Sequence, residues 1–443
     1  MIRIIDARKT YAKTGGRIPR EAVFDRSAAA ATASAQIAET VAQIIADVKT
    51  RGDAALREYT LKFDKADVAA PEVTAAEFAE AEKACGPEFK ALLERAADNI
   101  RGYHSLQRRE GFETHNAQGV VTGQRVLPLA RVGVYVPGGT AAYPSTVLMD
   151  VIPARIAGCP EIIMVTPPGK DGRVPAAILT AARIAGVTRV FKVGGAQAIA
   201  ALAYGTESVP AVDKIVGPGN AYVAEAKRQV FGQVSIDMIA GPSEILIVAD
   251  GRSRPDWVAA DMLSQAEHDR MASAVLVTDS EELAAAVSAE LERQIPLLER
   301  RDIARASIDA NGRIIIAGDL SAAVDTANEI APEHLELCVD DPFDWLRRIR
   351  NAGSVFLGRY CPEALGDYFA GPNHTLPTSG TARFSSALSV DDFVKKVQYI
   401  SCDAASLAAC AADVDNFART EGLTGHGYSA TIRMANGKGQ MAN

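Results

Sequence analysis

The stretch Leu365-Gly-Asp-Tyr-Phe-Ala-Gly-Pro-Asn-His-Thr-Leu-Pro-Thr378 sets a carboxylate, Asp367, and an imidazole, His374, among Gly366, Gly371, Pro372 and Pro377. Gly and Pro restrict how such a segment turns, and a carboxylate with an imidazole on it suits gripping a metal or moving a proton. The same composition also describes an ordinary Asx-rich surface loop. The histidines sharpen the choice: the chain has only six, and His268, His334, His374 and His426 stand near Gln265, Glu333, Asp367 and Glu421. Gln265 and His268 are neighbours on the surface of an expected helix, at the edge of its apolar stripe. Glu333 and His334 follow Pro332 at the entry to an expected strand, which fits either a turn or an acid/base pair. His104 and His115 read as surface residues. Gln265, His268, Asp367 and His426 together offer imidazole nitrogens and amide and carboxylate oxygens with one formal negative charge. Such a set suits Zn2+ and leaves the metal net positive. Spacing alone does not join the four, since they come from three distant stretches.

Composition bounds what these residues serve. At 443 residues, with 48% hydrophobic and 23% charged side chains, the chain has the make-up of a soluble globular protein of two to three domains. A net charge of −8 argues against a nucleic-acid binder. No run of 18 apolar residues reads as a membrane span, and Met1–Gly16 lacks the layout of a signal peptide. Six cysteines without a CxxC pair fit reduced thiols in a cytoplasmic protein.

Met1–Arg26 shows no periodicity and reads as an arm, while Ser34–Phe63 and Pro87–Arg109 carry helical spacing. From Ala130 strands and helices alternate. Strands are expected at Arg131–Val136, Glu161–Thr166, Val190–Val193, Lys214–Val216 and Glu244–Val248. Helices are expected at Ser145–Ala157, Pro175–Ala185, Gln197–Tyr204 and Ala221–Phe231. This is the pattern of an α/β fold with a doubly wound parallel sheet. Its strands run into Pro137-Gly138-Gly139, Pro167-Pro168-Gly169, Gly194-Gly195 and Gly217-Pro218-Gly219-Asn220, with Gly241-Pro242-Ser243 close by. Glycine turns at the carboxyl edge of such a sheet suit a nucleotide or dinucleotide, although α/β loops are glycine-rich anyway and neither GxGxxG nor a P-loop is present. A second alternating block follows. It has a helix at Pro255–His268 and strands at Ala274–Thr278, Arg313–Ile316, Leu335–Val339 and Ser354–Leu357. Helices separate these strands at Ser280–Arg301, Leu320–Glu329 and Pro342–Asn351. Asp391–Val397 and Asp403–Thr420 read as an amphipathic helical tail suited to docking on another surface, and Lys438–Asn443 as a frayed end.

Six segments carry a resemblance. They are Val193-Gly-Gly-Ala-Gln-Ala-Ile-Ala-Ala-Leu-Ala203, Gly217-Pro-Gly-Asn220, Ile239-Ala-Gly-Pro-Ser-Glu-Ile245, Leu263-Ser-Gln-Ala-Glu-His268, Ala331-Pro-Glu-His-Leu335, and Gly366-Asp-Tyr368 through Asn373-His-Thr-Leu-Pro377. In this order they resemble the histidinol dehydrogenases over nearly the whole chain. The resemblance implies a homodimeric, zinc-dependent cytoplasmic enzyme that oxidises L-histidinol through the aldehyde to L-histidine with two NAD+. It implies two incomplete Rossmann-like domains, with an N-terminal helical arm and a C-terminal helical tail intertwined in the dimer. The corresponding boundaries are an arm at 1–32, a zinc- and substrate-side domain at 33–130 plus 240–385, an NAD-side domain at 131–239 and a swapped tail at 386–443. By the same resemblance, Gln265, His268, Asp367 and the partner chain's His426 hold zinc, and Glu333 and His334 form the catalytic pair. Ser243, His374 and Glu421 join His334 and the zinc ligands around the substrate, and Tyr135, Gln197 and Asn220 contact NAD. Gly427-Tyr428, after His426, departs from the family's small polar residues. Competing readings are a dehydrogenase of a sulfonated diol in the same superfamily, a zinc hydrolase using Glu333 to activate water, and a non-catalytic metal-binding module.

Overall fold

The computed structural model describes residues 2–11, 18–23, 28–138 and 142–434, with backbone alone at 22 and 28–34. Gly139 and the end at 438–443 lie outside the described residues. The chain divides into two compact units, Met1–Gln107 with Leu129–Phe393, and Arg108–Pro128 with Val394–Asn443.

Strands are numbered along the chain. β1 (Arg3–Asp6) lies in the first unit, and β2 (Phe112–His115) and β3 (Val121–Pro128) in the second. The first unit continues with β4 (Arg131–Tyr135), β5 (Glu161–Thr166), β6 (Arg189–Lys192), β7 (Lys214–Val216) and β8 (Ser235–Ile236). It then forms β9 (Glu244–Ala249), β10 (Ser273–Thr278), β11 (Arg313–Ile316), β12 (His334–Cys338) and β13 (Ser354–Leu357). β14 (Val394–Ser401) belongs to the second unit.

The first unit holds two parallel sheets, ordered β6-β5-β4-β7-β8 and β1-β11-β10-β9-β12-β13. Parallel strands covered on both faces must be apolar throughout, which is why β5 reads Ile162-Ile163-Met164-Val165 and β9 reads Ile245-Leu246-Ile247-Val248. Around the smaller sheet, Val132, Val134, Ile162 and Met164 pack with the helices Pro144–Ala157 and Ala176–Ala185. Ile163, Val165 and Phe191 pack on the other side with the helix Gly195–Tyr204. In the larger sheet Ile245, Ile247, Leu276 and Ile314 face the helices Pro255–Ala266 and Glu281–Gln294, while Leu246, Val248, Val275 and Leu335 face Leu320–Ile330. The alternation of elements thus produces the expected α/β architecture with two Rossmann-like sheets.

The smaller sheet begins at its centre with β4 and winds outward both ways, and β9 to β13 do the same in the larger sheet inside its edge strand β1, leaving a switch point between β4 and β7 and another between β9 and β12. At the first, Tyr135–Gly138 and Gly217–Asn220 leave the carboxyl ends of adjacent strands, the place where α/β sheets take ligands. The larger sheet works differently. Ser243 stands just before β9 and Glu333-His334 at the start of β12, so its chemistry-bearing residues gather at the amino edge.

In the second unit β14, β3 and β2 form an antiparallel sheet, and the helices Ala404–Thr420 and Thr424–Thr431 pack on each other.

Several elements differ from their sequence reading. The N-terminal arm contains β1, the edge strand of the larger sheet; four residues are too few to show a period. Asp391–Val397 is helical only as far as Phe393, in a short 3-10 turn, Val390–Phe393. Val394–Ser401 is a strand paired with Val121–Pro128, because Phe393, Val394, Val397 and Ile400 carry helix-like spacing that a long-range partner overrides. Its partner β3 forms an unanticipated hairpin with β2, whose turn is closed by Asn116 Oδ1 accepting from the Gln118 and Val120 N–H groups. The helix at Ser34–Phe63 is two, Ala28–Arg51 and Asp53–Asp64, parted at Gly52 with φ +53°. Ser280–Arg301 stops at Gln294, turns through Ile295–Leu297 and resumes as a new helix, Arg301–Asn311; Pro342–Asn351 shortens to Pro342–Leu346. His104 is not on the surface. It is fully buried on the Leu93, Ala97 and Ile100 face of the helix Pro87–Ser105, whereas His115 is exposed.

Candidate active site

The site is built where the entry of β12 meets the helix Glu363–Tyr368 and the segment after it. Pro362 precedes that helix, and one turn carries Glu363 and Asp367 on a single face. Asp367 therefore sits in a helix rather than in the loop read from sequence. His334 Nδ1 lies 3.1 Å from the Glu244 carbonyl, so it carries the proton and leaves Nε2 as the lone-pair nitrogen. That Nε2 has no hydrogen-bond partner and stands 3.6 Å from Glu363 Oε1 and 4.0 Å from Asp367 Oδ1. His374 uses its Nδ1 in the same way, 3.1 Å from the Asp367 carbonyl. Glu333 Oε2 accepts the Glu244 N–H at 2.8 Å and lies 3.6 Å from His334 Nδ1. The Glu244 backbone thus fixes both Glu333 and His334.

Burial dominates the electrostatics. It pushes Glu333 well above the ordinary carboxyl range, against the pull of the Glu244 N–H and with help from the carboxylates of Glu244, Asp367 and Glu363. It raises Glu363 to about 7 and Asp367 to about 6. The same desolvation lowers His334 and takes His374 down to about 4, keeping both rings neutral at pH 7.

This environment fits a cation. His334, Glu363 and Asp367 bring donor atoms within 4.8 Å of one another. Gln265, buried on the helix Pro255–Ala266, leaves its Oε1 without a partner, as does Glu363 Oε1. Buried lone pairs left unpaired are costly, and a metal ion satisfies them. His268, just past that helix and exposed, is near enough for its charge to lower His334 and His374. Ser243 is half-buried at the foot of β9, beside Gly241, whose N–H donates to Thr378 Oγ1 at 2.6 Å.

The cofactor-side candidates gather at the smaller sheet. The Tyr135 hydroxyl accepts the Gly195 N–H at 3.1 Å, and burial raises its pKa to about 12. Gln197 is buried, and neither of its amide atoms has a hydrogen-bond partner. Asn220 Oδ1 caps the helix Ala221–Val230 by accepting from Tyr222 and Val223 N–H, which leaves its amide nitrogen exposed at the turn. Glu421 and His426 belong to the second unit, where both line an open, mainly apolar hollow of about 340 Å3 with Val414, Phe417 and Leu423.

Glu363 and Glu244 were not singled out from the sequence. For Glu363 the signal existed, two acids at helical spacing after a proline. For Glu244 none did, because its backbone does the work.

The family model for histidinol dehydrogenase matches residues 27–434. A histidinol dehydrogenase of Moorella thermoacetica is 51% identical over 436 residues, covering 98% of this chain and 100% of that protein. One of Geobacillus kaustophilus is 54% identical over 398 residues, covering 90% and 94%. The crystal structure of histidinol dehydrogenase from Elizabethkingia anophelis superposes with a TM-score of 0.89 at 35% identity, covering 98% of both chains. The chain belongs to the histidinol dehydrogenase family.

Proposed function

We propose that this protein oxidises L-histidinol through L-histidinal to L-histidine, using one Zn2+ per subunit and two NAD+ in succession, as a cytoplasmic homodimer with shared active sites. The observation that carries the reading is the meeting of His334 and Glu363, each with an unpartnered buried atom, with Asp367, beside a buried Glu333.

Gln265, His268 and Asp367 would hold zinc, with His426 of the partner subunit as the remaining ligand. Bound, the metal supplies charge that orients the substrate's imidazole and amine, and NAD+ at Tyr135, Gln197 and Asn220 supplies the hydride acceptor. His334, neutral and with Nε2 free, takes the hydroxyl proton as the alcohol carbon loses hydride. Glu333, a base strengthened by burial, deprotonates the water that adds to the aldehyde, and the hydrate then loses a second hydride. Overall, one alcohol and one water give one carboxylate, two reduced cofactors and three protons. Ser243, His374 and the partner's Glu421 hold the substrate. The hollow beside Glu421 and His426 supports a shared site, because Phe417 and Val414 leave an apolar face exposed there.

The test is direct. Purified protein with zinc, NAD+ and L-histidinol is expected to accumulate reduced nicotinamide and L-histidine. Hydrolase or metal-module chemistry yields neither.

A further inference from the structure

Behind the site, three buried ionisable side chains serve no step described above. Asp150 lies on the helix Pro144–Ala157 with no solvent exposure. Lys227, on Ala221–Val230, pairs with Asp237, and both are essentially fully buried. Lys227 Nζ donates to the Gly217 carbonyl at 2.9 Å, and Asp237 Oδ2 accepts the Gly217 N–H at 2.8 Å. The pair therefore grips both sides of the residue that opens the Gly217-Pro218-Gly219-Asn220 turn. Gly217 has φ +111°, and a Cβ there would stand 2.1 Å from the Tyr135 carbonyl oxygen and 3.1 Å from Asp150 Oδ2. Only glycine lets this turn lie so close to the Asp150 carboxyl.

The other Asp150 oxygen reaches the substrate side. Oδ1 accepts the Thr375 hydroxyl at 2.7 Å, and Asn373 Nδ2 donates to the neighbouring Met149 carbonyl at 2.6 Å. The two residues that flank His374 are thus fastened to consecutive positions of one helix. Asn373 Oδ1 also accepts the Thr375 N–H at 2.9 Å, which closes the bracket around the imidazole.

We propose that Asp150 is a positioning residue that sets the distance between the His374 segment and the Gly217–Asn220 turn. It touches neither substrate nor cofactor. The proposal rests on the reading that these two segments face substrate and NAD, and it explains why an otherwise unneeded carboxyl is buried between them. Two successive hydride transfers require the cofactor turn to return to the same place after exchange. Close packing of Gly217 on a carboxyl held by Thr375 supplies that constancy, since Asp150 Oδ2 makes no hydrogen bond of its own.

Thr375→Val removes the hydroxyl while leaving the helix untouched, and Asp150→Ala removes the carboxyl; Asp150→Asn and Thr375→Ser keep the bond. Each bond-breaking variant is expected to lower kcat for histidinol about 10²-fold, the scale of an ångström-sized misplacement, while the conservative pair stays close to wild type. Hydrogen exchange without substrate or cofactor is the second readout. In Thr375→Val it is expected to quicken at residues 371–378 and also at Gly217, Gly219 and Asn220, which Thr375 does not touch. Loosening confined to 371–378, or wild-type kinetics in Thr375→Val, overturns the proposal, and Thr375→Val decides if Asp150→Ala fails to fold. Should the wild-type protein not oxidise histidinol, the functional reading fails by itself, and the exchange pattern still decides the role of Asp150.

Discussion

Glu333→Gln separates the two oxidations. The substitution keeps side-chain volume, and an amide oxygen can accept the Glu244 N–H that Glu333 Oε2 accepts at 2.8 Å, so the fold and the position of β12 are retained. What disappears is a base that burial has raised well above the ordinary carboxyl range, hence stronger than an exposed glutamate. A positioned general base contributes about 10²- to 10⁴-fold, so oxidation of supplied histidinal is expected to slow by that factor. Oxidation of the alcohol relies on His334, whose Nδ1 is fixed by the Glu244 carbonyl independently of Glu333, and should change by less than about tenfold. Single-turnover mixing with histidinol and with histidinal, each followed by reduced nicotinamide, reads the two steps separately. In wild type the histidinal step should quicken as pH rises through the raised Glu333 pKa, because only the carboxylate accepts a proton; Glu333→Gln should lack that limb. Equal slowing of both steps, or an unaffected histidinal step, would refute the assignment.

Three further outcomes follow from the same structure. Asp367→Ala and His426→Ala should each be nearly inactive, yet co-expressed they should recover roughly a quarter of wild-type activity, since one site in each mixed dimer keeps every ligand; no recovery, with mixed dimers verified by native mass spectrometry, contradicts a shared site. Lys227→Met strands the buried Asp237 carboxylate and should cost about 3–5 kcal/mol in denaturant unfolding at fixed protein concentration, partly restored by Asp237→Asn in the same chain; a loss below about 1 kcal/mol counts against the pair as a structural anchor. The folded Asp150 carboxyl keeps its proton up to about pH 8, whereas its ordinary value is 3.8. Folding therefore binds a proton between those values, and stability falls as pH rises through that window. Relative to wild type, Asp150→Asn should gain about 4 kcal/mol in unfolding free energy from pH 4 to pH 7. A gap that does not move with pH contradicts a neutral buried acid.

The sequence disclosed most where the physics is local. Continuous Val/Ile runs such as Glu244–Ala249 are the signature of strands covered on both faces, and their boundaries emerged nearly residue by residue. The glycine turns after β4, β6 and β7 were legible for the same reason, since a parallel sheet collects its strand ends on one edge. Val394–Ser401 was not, because a chain of local helical spacing became a strand through pairing with residues some 270 positions earlier. His104 was missed because a polar side chain on an apolar helical stripe gives no sign that Gln107 will accept its bond at 2.7 Å. In the site, the residue types of Asp367, Glu333 and His334 were visible. The Glu244 backbone that orients Glu333 and His334 could not be, because any side chain at that position presents the same N–H and carbonyl. Asp150 and Thr375 were invisible for a related reason, 225 positions apart and joined only by the packing of a helix against a loop.

The measurement that bears most directly on the central claim is the yield of reduced nicotinamide from limiting L-histidinol, with the metal content of the same sample determined in parallel. Zinc-loaded protein is expected to form two reduced cofactors and one L-histidine per histidinol, to fall silent on chelation and to recover when Zn2+ is restored. One reduced cofactor per histidinol with free aldehyde accumulating, or full turnover in a demonstrably metal-free sample, would contradict the account.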